Sequence, residues 1–383
     1  MIRNTIARVD LNALRHNFTA IQQYLAADPI PSATDQPTRP GIIAVVKANA
    51  YGHGSERVAL ALEEAGATML ACADIEEGIV LRRAGVRVPV LVFGALSVSD
   101  VDGLFEYSLT PTISTPGAAK AVHAAAVKRR SAIGYHLKID TGMNRLGFRH
   151  DNLRRTLPDV LASGQLRLEG VFTHFASADE PESPVFNLQR ERFDEAYDFV
   201  ASAFRRKIQK HAANSAALLR DSRVWYDAVR PGLLLYGIVP PPLASTIPLQ
   251  PVMSLTSRVV AVKGIRPGEG VGYGLQFESA TPRTIAVIPA GYADGLDTRL
   301  CGRGHVLVRG RRVPIVGAVS MDMITVDVTD LGDVQPGDEV VLLGRQGSES
   351  WQQIDAREVA AAIGTIPWEI VCRLGTRVER YYD

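Results

Sequence analysis

The sequence predicts a two-domain α/β protein, in which a TIM-type (β/α)8 barrel is followed by a mostly antiparallel β domain. Apolar runs alternate with amphipathic helical stretches through the first two-thirds of the chain, and after residue 245 strand-like runs follow one another without long helices. The length of 383 residues also exceeds that of a usual single domain. We expect the barrel at residues 11–243 and the β domain at residues 244–383, joined by a strand from residues 1–10.

Eight apolar runs predict the strands of the barrel. They lie at residues 42–47, 68–73, 88–93, 109–114, 135–140, 168–175, 208–215 and 226–232. Nearly continuous apolar strands are typical of a parallel sheet that is buried on both faces. Connecting stretches such as residues 56–66 and 186–206 place apolar residues at the i, i+3, i+4 spacing of a helix. Eight strand–helix units match the (β/α)8 barrel, although the seventh and eighth strands have poor periodicity.

The last third of the chain has the sequence pattern of a β domain. Glycine and proline separate strand-like runs at residues 253–265, 283–291, 305–319, 323–330 and 338–344. One helix is predicted at residues 355–364, with Gly364 as its C-cap. Within the barrel, residues 25–41 are rich in Pro, Ser, Thr and Asp and are predicted to form an exposed loop.

Composition excludes several classes of function. A net charge of +1 gives no electrostatic reason to bind nucleic acid or an acidic membrane surface. Three widely spaced cysteines without a CxxC pair predict neither a zinc site nor a disulfide framework, and we expect no bound metal. The residues MIRNTIARVDLN contain no apolar stretch followed by a small-residue cleavage site, so we expect no secretory signal, and no apolar run approaches the length needed to span a bilayer. We therefore expect a cytoplasmic protein.

In a (β/α)8 barrel, chemistry belongs at the carboxyl ends of the strands. Lys47 ends the first predicted strand, and a partly desolvated lysine at that point can form a Schiff base. Most lysines are simply exposed to solvent, so position alone leaves both interpretations open. Later strands also end in polar groups, at Lys138, His174, Ser215 and Arg230.

Glycine-flanked residues admit two interpretations each. Tyr51 begins the turn Tyr-Gly-His-Gly, which could contact phosphate or merely connect a strand to a helix. Tyr273 and Tyr292 lie among glycines in the predicted β domain, where a tyrosine more often packs a turn than acts as an acid or base. Backbone N–H groups after Gly232 could bind phosphate if a helix starts there.

Taken together, segments along nearly the whole chain resemble the alanine racemase family, whose members are pyridoxal-phosphate (PLP) enzymes of fold type III. The segments follow the order that the family uses: TIARVDLNALRHN (5–17), AVVKANAYGHG (44–54), HLKIDTGMNRLGF (136–148), GVFTHFASAD (170–179), HAANSAA (211–217), RPGLLLYG (230–237), VGYG (271–274), GYADG (291–295), VGAVSMDM (316–323) and GTIPWE (364–369). The resemblance implies an isomerase that interconverts L- and D-alanine and supplies D-alanine for peptidoglycan. It also implies a homodimer whose active sites are completed across the subunit interface.

The resemblance assigns roles to individual residues. Lys47 would carry PLP covalently and act as one catalytic base, and Tyr273 of the partner subunit would act as the other. Racemisation removes the Cα proton from one face and returns a proton to the other, so it needs two bases on opposite sides. The residues implied to bind the phosphate are Tyr51, Ser215, Gly232 and Leu233.

Other residues would tune the cofactor and hold the substrate. Arg230 would hydrogen-bond the pyridine nitrogen and, because a guanidinium keeps its proton, leave the ring unprotonated. His174 would lie between Arg230 and Tyr273. The remaining implied residues are Arg145 at the phenolic oxygen of PLP and the substrate carboxylate, Met321 with its backbone amide at that carboxylate, Asp322 beside it, Tyr292 at the substrate entrance, and Lys138 at the position of a lysine that is often carbamylated.

Two residues depart from the family pattern. Trp368 stands where members carry a tyrosine that contacts phosphate and narrows the pocket, and an indole is bulkier with a single donor. This leaves the substrate open between alanine and a broader set that includes serine and lysine. Ser320 replaces a cysteine of many relatives, and we expect little effect. A PLP decarboxylase of the same fold type and a non-catalytic PLP carrier are the remaining alternatives, although such carriers lack a β domain.

Overall fold

The computed structural model describes residues 5–27, 39–96, 101–347 and 350–383. The described residues divide into two compact units. The larger, here called the barrel unit, lies within Leu14–Ala50 and Ser55–Leu249. The smaller, here called the β unit, lies within Met1–Ala13, Tyr51–Gly54 and Gln250–Asp383. The exact domain boundaries that the sequence predicts, at residues 10/11 and 243/244, stay a prediction.

The barrel unit is built on eight parallel strands that close on themselves. In chain order they are Gly41–Val45, Met69–Cys72, Val90–Val92, Thr110–Ile113, Ile133–Asp140, Leu166–Phe172, Gln209–Asn214 and Ala228–Arg230. The last strand pairs with the first, with Ala228 opposite Gly41. Each strand coincides with one of the eight apolar runs, so the predicted barrel is confirmed, including its seventh and eighth strands.

Helices follow most of the barrel strands. They are Ser55–Glu64, Ile75–Arg83, Asp102–Glu106, Pro116–Arg129, Leu153–Thr156, Pro158–Leu161, Val185–Ala201 and Ser215–Arg220, with 3-10 turns at Ser222–Val224 and Leu233–Tyr236 and a short strand at Phe148–Arg149. The helix Leu11–Ala27 precedes the first strand. Thr115 caps Pro116–Arg129 by accepting the Ala118 N–H, which supplies an acceptor that the first helical turn lacks. The predicted loop at residues 25–41 lies mostly outside the described residues.

The β unit is a mostly antiparallel sheet, as predicted. Its strands, in spatial order, are Ala261–Ile265, Arg283–Ile288, Ile324–Asp327, Arg311–Val316, His305–Val308, Glu339–Gln346, Met253–Arg258, Ile6–Val9 and Glu379–Tyr382. Ile6–Val9 pairs antiparallel with Met253–Arg258 and parallel with Glu379–Tyr382. The predicted helix is present as Ala356–Ile363, and Gly364 ends it with a φ of 70°, which favours glycine.

Several elements of the β unit have no counterpart among the sequence predictions. They are the strand Gln352–Ile354, the helix Pro367–Cys372, the strand Glu379–Tyr382 and the short pair Gly270–Val271 and Phe277–Glu278. Pro367 lies in the first turn of its helix, a position that proline favours, and so marks the helix start in the sequence. None of the helices in the described part of the chain is both long and apolar enough to cross a membrane.

Candidate active site

The carboxyl ends of the barrel strands bring the predicted basic residues together. Lys138 is buried, and its Nζ lies 5.7 Å from the centre of the Phe172 ring. Burial, followed by the charges of Arg145 and Arg230, lowers the pKa of Lys138 to about 8, against an opposing effect of Asp140. The charge of Lys47 also acts on Lys138, which places these cations in one cluster. Such a cluster favours an anionic ligand and holds part of the Lys138 amine in its neutral form.

Arg230 is the buried centre of this cluster. Its Nη2 donates to the backbone oxygens of Thr173 and Ala212, each at 2.8 Å, and lies 3.4 Å from His174 Nδ1. Its Nη1 donates to His211 Nδ1 at 3.0 Å. Burial lowers the pKa of Arg230 to about 9, so the guanidinium stays protonated at neutral pH. These contacts fix the orientation of a cation inside the barrel.

A chain of two histidines extends inward from Arg230. Because a guanidinium has no acceptor, His211 Nδ1 must accept, and its proton therefore sits on Nε2. That Nε2 donates to His136 Nδ1 at 2.8 Å. Both rings are buried, and burial followed by the Arg230 charge lowers the pKa of His136 to about 3 and that of His211 well below its usual value. Both histidines are neutral at pH 7, so Arg230 supplies the positive charge of this chain.

Gly170 shows that the space for this chain is built into the strands. A Cβ on Gly170 would lie 2.6 Å from His136 Nδ1. His136 and His211 were not among the site residues predicted from the sequence. The signal was present, since His136, Lys138 and Asp140 alternate along one strand and so share one of its faces.

Gln189 ties two loops of the site together and was also missed. Its amide nitrogen donates to Thr141 Oγ1 and to the His174 backbone oxygen, each at 3.1 Å, and its Oε1 accepts the Ala176 N–H at 2.8 Å. The side chain is fully buried. Because the loops after Ile133–Asp140 and Leu166–Phe172 share this one side chain, His174 has a fixed position.

A set of donors lies at the seventh and eighth strand ends. Ser215 Oγ accepts the N–H groups of Gly232 at 3.0 Å and Leu234 at 3.4 Å. Leu233 begins the 3-10 turn Leu233–Tyr236, whose first N–H groups have no acceptor within the turn itself. A hydroxyl beside backbone N–H donors of this kind suits the binding of a phosphate.

The backbone after Lys47 is left-handed. Ala48, Asn49, Ala50 and Tyr51 have φ values of 51–54°, a conformation that costs an L-residue about 1–2 kcal/mol each. The sequence predicted a flexible turn only from Tyr51. The bonds that hold this turn include Ala50 N–H to the Val46 oxygen at 2.8 Å and Ser55 N–H to Asn49 Oδ1 at 2.8 Å. The structure therefore sets Lys47 between a strand and a strained turn.

In the β unit, Tyr292 and Met321 lie on two backbones in close contact. The Tyr292 N–H donates to the Ser320 oxygen at 3.0 Å, and the Ala293 N–H donates to the Met321 oxygen at 3.1 Å. A Cβ on Gly291 would lie 2.3 Å from the Ser320 oxygen, so only glycine fits there. The two predicted substrate contacts are thus parts of one rigid piece.

Arg377, which was not predicted from the sequence, holds this piece together. Its Nε and Nη2 bond the two carboxylate oxygens of the buried Asp294 at 2.9 and 3.2 Å. Its Nη1 pairs with Asp322 at 2.8 Å, and its Nη2 donates to the Met321 oxygen at 3.0 Å. Asp294 also accepts the Gly291 N–H at 2.8 Å. One guanidinium therefore joins Asp322 and Met321 to the turn that carries Tyr292.

The remaining predicted residues of the β unit differ in their exposure. Tyr273 begins a 3-10 turn with 78% of its surface exposed, and Leu275 in the same turn is 65% exposed. Burial raises the pKa of the Tyr51 hydroxyl, with a smaller effect of Cys372. Trp368 lies half-buried in the helix Pro367–Cys372. Among the residues that the structure describes, no group of three or more His, Cys, Asp or Glu is arranged to hold a metal ion.

Comparisons with known proteins cover both units. The family model for the alanine racemase N-terminal domain matches residues 9–240, and the model for the C-terminal domain matches residues 252–382. The chain is 40% identical over 382 residues to an alanine racemase of Symbiobacterium thermophilum, covering 100% of this chain and 97% of that protein. It is 41% identical over 387 residues to an alanine racemase of Carboxydothermus hydrogenoformans, covering 100% of both chains.

A solved structure agrees with the sequence relatives. The alanine racemase from D-cycloserine producing Streptomyces lavendulae has a TM-score of 0.92 and 33% sequence identity, and the match covers 100% of this chain and 98% of that one. The predicted combination of a barrel with a β domain and the predicted class of enzyme are both confirmed. The chain therefore belongs to the alanine racemase family and is an amino-acid racemase.

Proposed function

We propose that this chain interconverts L- and D-alanine with PLP as its cofactor and with Lys47 and Tyr273 as its two bases. The observation that carries the proposal is the buried cationic cluster at the barrel mouth. There the charges of Lys47 and Lys138 act on one another, and Arg230 contacts four polar groups, namely the rings of His211 and His174 and the backbone oxygens of Thr173 and Ala212. A lysine amine beside oriented cations suits a cofactor that reacts with amines and carries negative charge.

The donor chemistry of the barrel unit fits PLP. Ser215 with the N–H groups of Gly232 and Leu233 would hold the phosphate, together with Tyr51 and Trp368. Arg230 stays protonated with a pKa of about 9 and would donate to the pyridine nitrogen, which leaves the ring unprotonated. When bound, PLP supplies delocalisation of the charge that develops at the substrate Cα.

The protein's own residues would move the proton. Lys47 would remove or return a proton at Cα on one face, and Tyr273 of the partner subunit would do so on the other, each serving as acid in the direction in which the other serves as base. Arg145 would bind the phenolic oxygen and the substrate carboxylate. His174, 3.4 Å from Arg230, would orient the tyrosine hydroxyl.

The β unit would hold the substrate carboxylate. The Met321 N–H would donate to it, Asp322 would shape the site beside it, and Tyr292 would line the substrate entrance. Arg377 supports this assignment, because it fixes both backbones at once.

We extend the proposal to a homodimer that completes each active site across the subunit interface. Large apolar side chains of the β unit are exposed in the single chain, among them Tyr273, Leu275, Met321, Met323 and Ile366. Exposed apolar surface of this kind favours a protein partner. We also propose that the enzyme is cytoplasmic and provides D-alanine for peptidoglycan. Among the described residues Cys72, Cys301 and Cys372 form no disulfide, which fits a reducing compartment.

Racemisation of pure L-alanine by the purified, PLP-loaded protein tests the proposal, with L-serine, L-lysine and L-arginine alongside. We expect alanine to turn over fastest. Lys47→Ala should remove the visible absorbance of the lysine-bound cofactor and all turnover. Faster turnover of another amino acid would keep the chemistry and replace the substrate, since Trp368 alters the pocket. No turnover of any of the four with PLP bound would refute the proposal.

A further inference from the structure

The carboxylate of Glu77 bridges two backbone N–H groups at the barrel mouth. Its Oε1 accepts the Ala48 N–H at 2.6 Å, and its Oε2 accepts the Ala73 N–H at 2.7 Å. Ala48 directly follows Lys47, and Ala73 directly follows the strand Met69–Cys72. A single acidic side chain therefore joins the ends of the first two barrel strands.

This carboxylate lies in the first turn of a helix. Glu77 is the third residue of the helix Ile75–Arg83, and the N-cap Asp74 accepts its N–H at 2.8 Å. In a capping box, a glutamate at this position bonds the N–H of the N-cap residue itself. Here its two oxygens reach Ala73 and Ala48 instead. The positive end of the helix favours a negative charge at this point.

The helix that carries Glu77 packs closely against the residue before the next strand but one, Leu109. A Cβ on the next residue, Gly78, would lie 2.7 Å from the Leu109 side chain, so the helix is seated directly against its neighbour. This close packing and the two short hydrogen bonds of Glu77 together restrain the start of the helix relative to the strand ends. The carboxylate consequently has a defined position relative to Ala48.

The bond to Ala48 matters because the backbone there is unfavourable by itself. Ala48 has a φ of 54° and begins a run of left-handed residues that are not glycine. Such a run persists only when surrounding contacts fix it. The charged hydrogen bond from Glu77 is a contact of that kind, at the residue next to Lys47.

We infer that Glu77 is a positioning residue for Lys47, which holds the left-handed turn and so presents the lysine amine at the strand mouth. The inference rests on the proposed role of Lys47 as the residue that carries PLP. Glu77 acts through the backbone of Ala48 and Ala73. The alternative is a purely structural glutamate, whose loss lowers global stability without any local effect at Lys47.

Variants of two neighbouring glutamates separate these roles. Glu77→Ala removes both bonds, and Glu77→Gln keeps one acceptor oxygen. Glu76→Ala is the matched control, because Glu76 is an exposed glutamate in the same first turn. Hydrogen exchange of the Ala48 and Ala73 amides is measured in cofactor-free protein, PLP affinity is measured by absorbance titration, and unfolding in urea gives global stability.

We expect Glu77→Ala to speed exchange of both amides by about tenfold or more relative to Glu76→Ala. PLP affinity should fall in the same order, with Glu77→Gln intermediate. If Glu77→Ala does not fold, Glu77→Gln decides by the same readouts. Unchanged exchange, or faster exchange with PLP affinity equal to that of Glu76→Ala, would overturn the inference. A wild-type protein that binds no PLP would instead refute the proposed function. The exchange rates of the Ala48 and Ala73 amides would still test whether Glu77 holds the turn.

Discussion

Lys138 should take up CO2 as a carbamate at neutral pH. Only a neutral amine reacts with CO2, forming an N–C bond and releasing one proton to solvent. With the pKa of Lys138 lowered to about 8 by burial and by Arg145 and Arg230, about one amine in ten is neutral at pH 7. An ordinary lysine of pKa about 10.4 has roughly one in 2,500. The structure thus gives Lys138 an advantage of about two hundred-fold over an exposed lysine.

The same two arginines would also stabilise the product. They oppose the ammonium form of Lys138 in this structure, and a carbamate reverses the sign of that interaction because it is negative. Arg145 would in this way gain a fixed anionic partner beside the proposed substrate carboxylate.

Carbon-13 NMR in buffer with labelled bicarbonate measures the carbamate directly. We expect a carbamate signal from the wild-type protein at pH 7.5 that disappears in Lys138→Met. Lys128→Met serves as the control, because Lys128 is an exposed lysine on the helix Pro116–Arg129 and its loss should leave the signal unchanged. A wild-type protein without the signal, or a Lys138→Met variant that keeps it, would refute the reasoning.

Two further predictions concern the residues that the sequence analysis missed. Arg377→Gln should raise the KM for alanine several-fold and lower kcat by a smaller factor, because it releases Met321 from the turn that Asp294 holds. Steady-state kinetics in both directions measure this, and a fall in kcat alone would contradict it. The pKa of the buried His136 is lowered to about 3, so the unfolded chain binds a proton that the folded chain does not as pH falls below about 6.5. Its contribution to stability is complete above that pH and is lost towards pH 3, by at most about 1.4 kcal/mol per pH unit. The free energy of unfolding, measured in urea between pH 4.5 and 7, should change less with pH in His136→Asn than in the wild type. An equal dependence on pH in both proteins would contradict the lowered pKa of His136.

The barrel could be predicted because parallel strands buried on both faces need apolar residues at every position. Met69–Cys72 and Val90–Val92 are buried throughout, and they gave clear runs. The weakest runs belong to Gln209–Asn214 and Ala228–Arg230, which carry His211 and Arg230. Polar side chains that build the site interrupt the apolar pattern, so the site itself weakens the signal of the strands that hold it.

Contacts between distant residues explain what could not be predicted. The left-handed turn begins at Ala48, where no glycine marks it, and one of its bonds comes from Glu77, 29 residues away. Arg377 gains its role only from the carboxylates that the fold places beside it. Gln189 did leave a signal, since it shares the buried face of its helix with Phe186 and Phe193 at helical spacing, and a buried polar side chain needs partners.

The two-base assignment is the central claim, and Tyr273→Phe tests it most directly. Racemisation is followed from each pure enantiomer of alanine in D2O, with deuterium uptake at Cα recorded by NMR and with Tyr381→Phe, on the strand Glu379–Tyr382, as the control. We predict that Tyr273→Phe slows racemisation by about 100-fold or more, while one enantiomer still exchanges its Cα proton through Lys47 without inversion. Racemisation at the wild-type rate in Tyr273→Phe, with deuterium entering both enantiomers, would contradict the account.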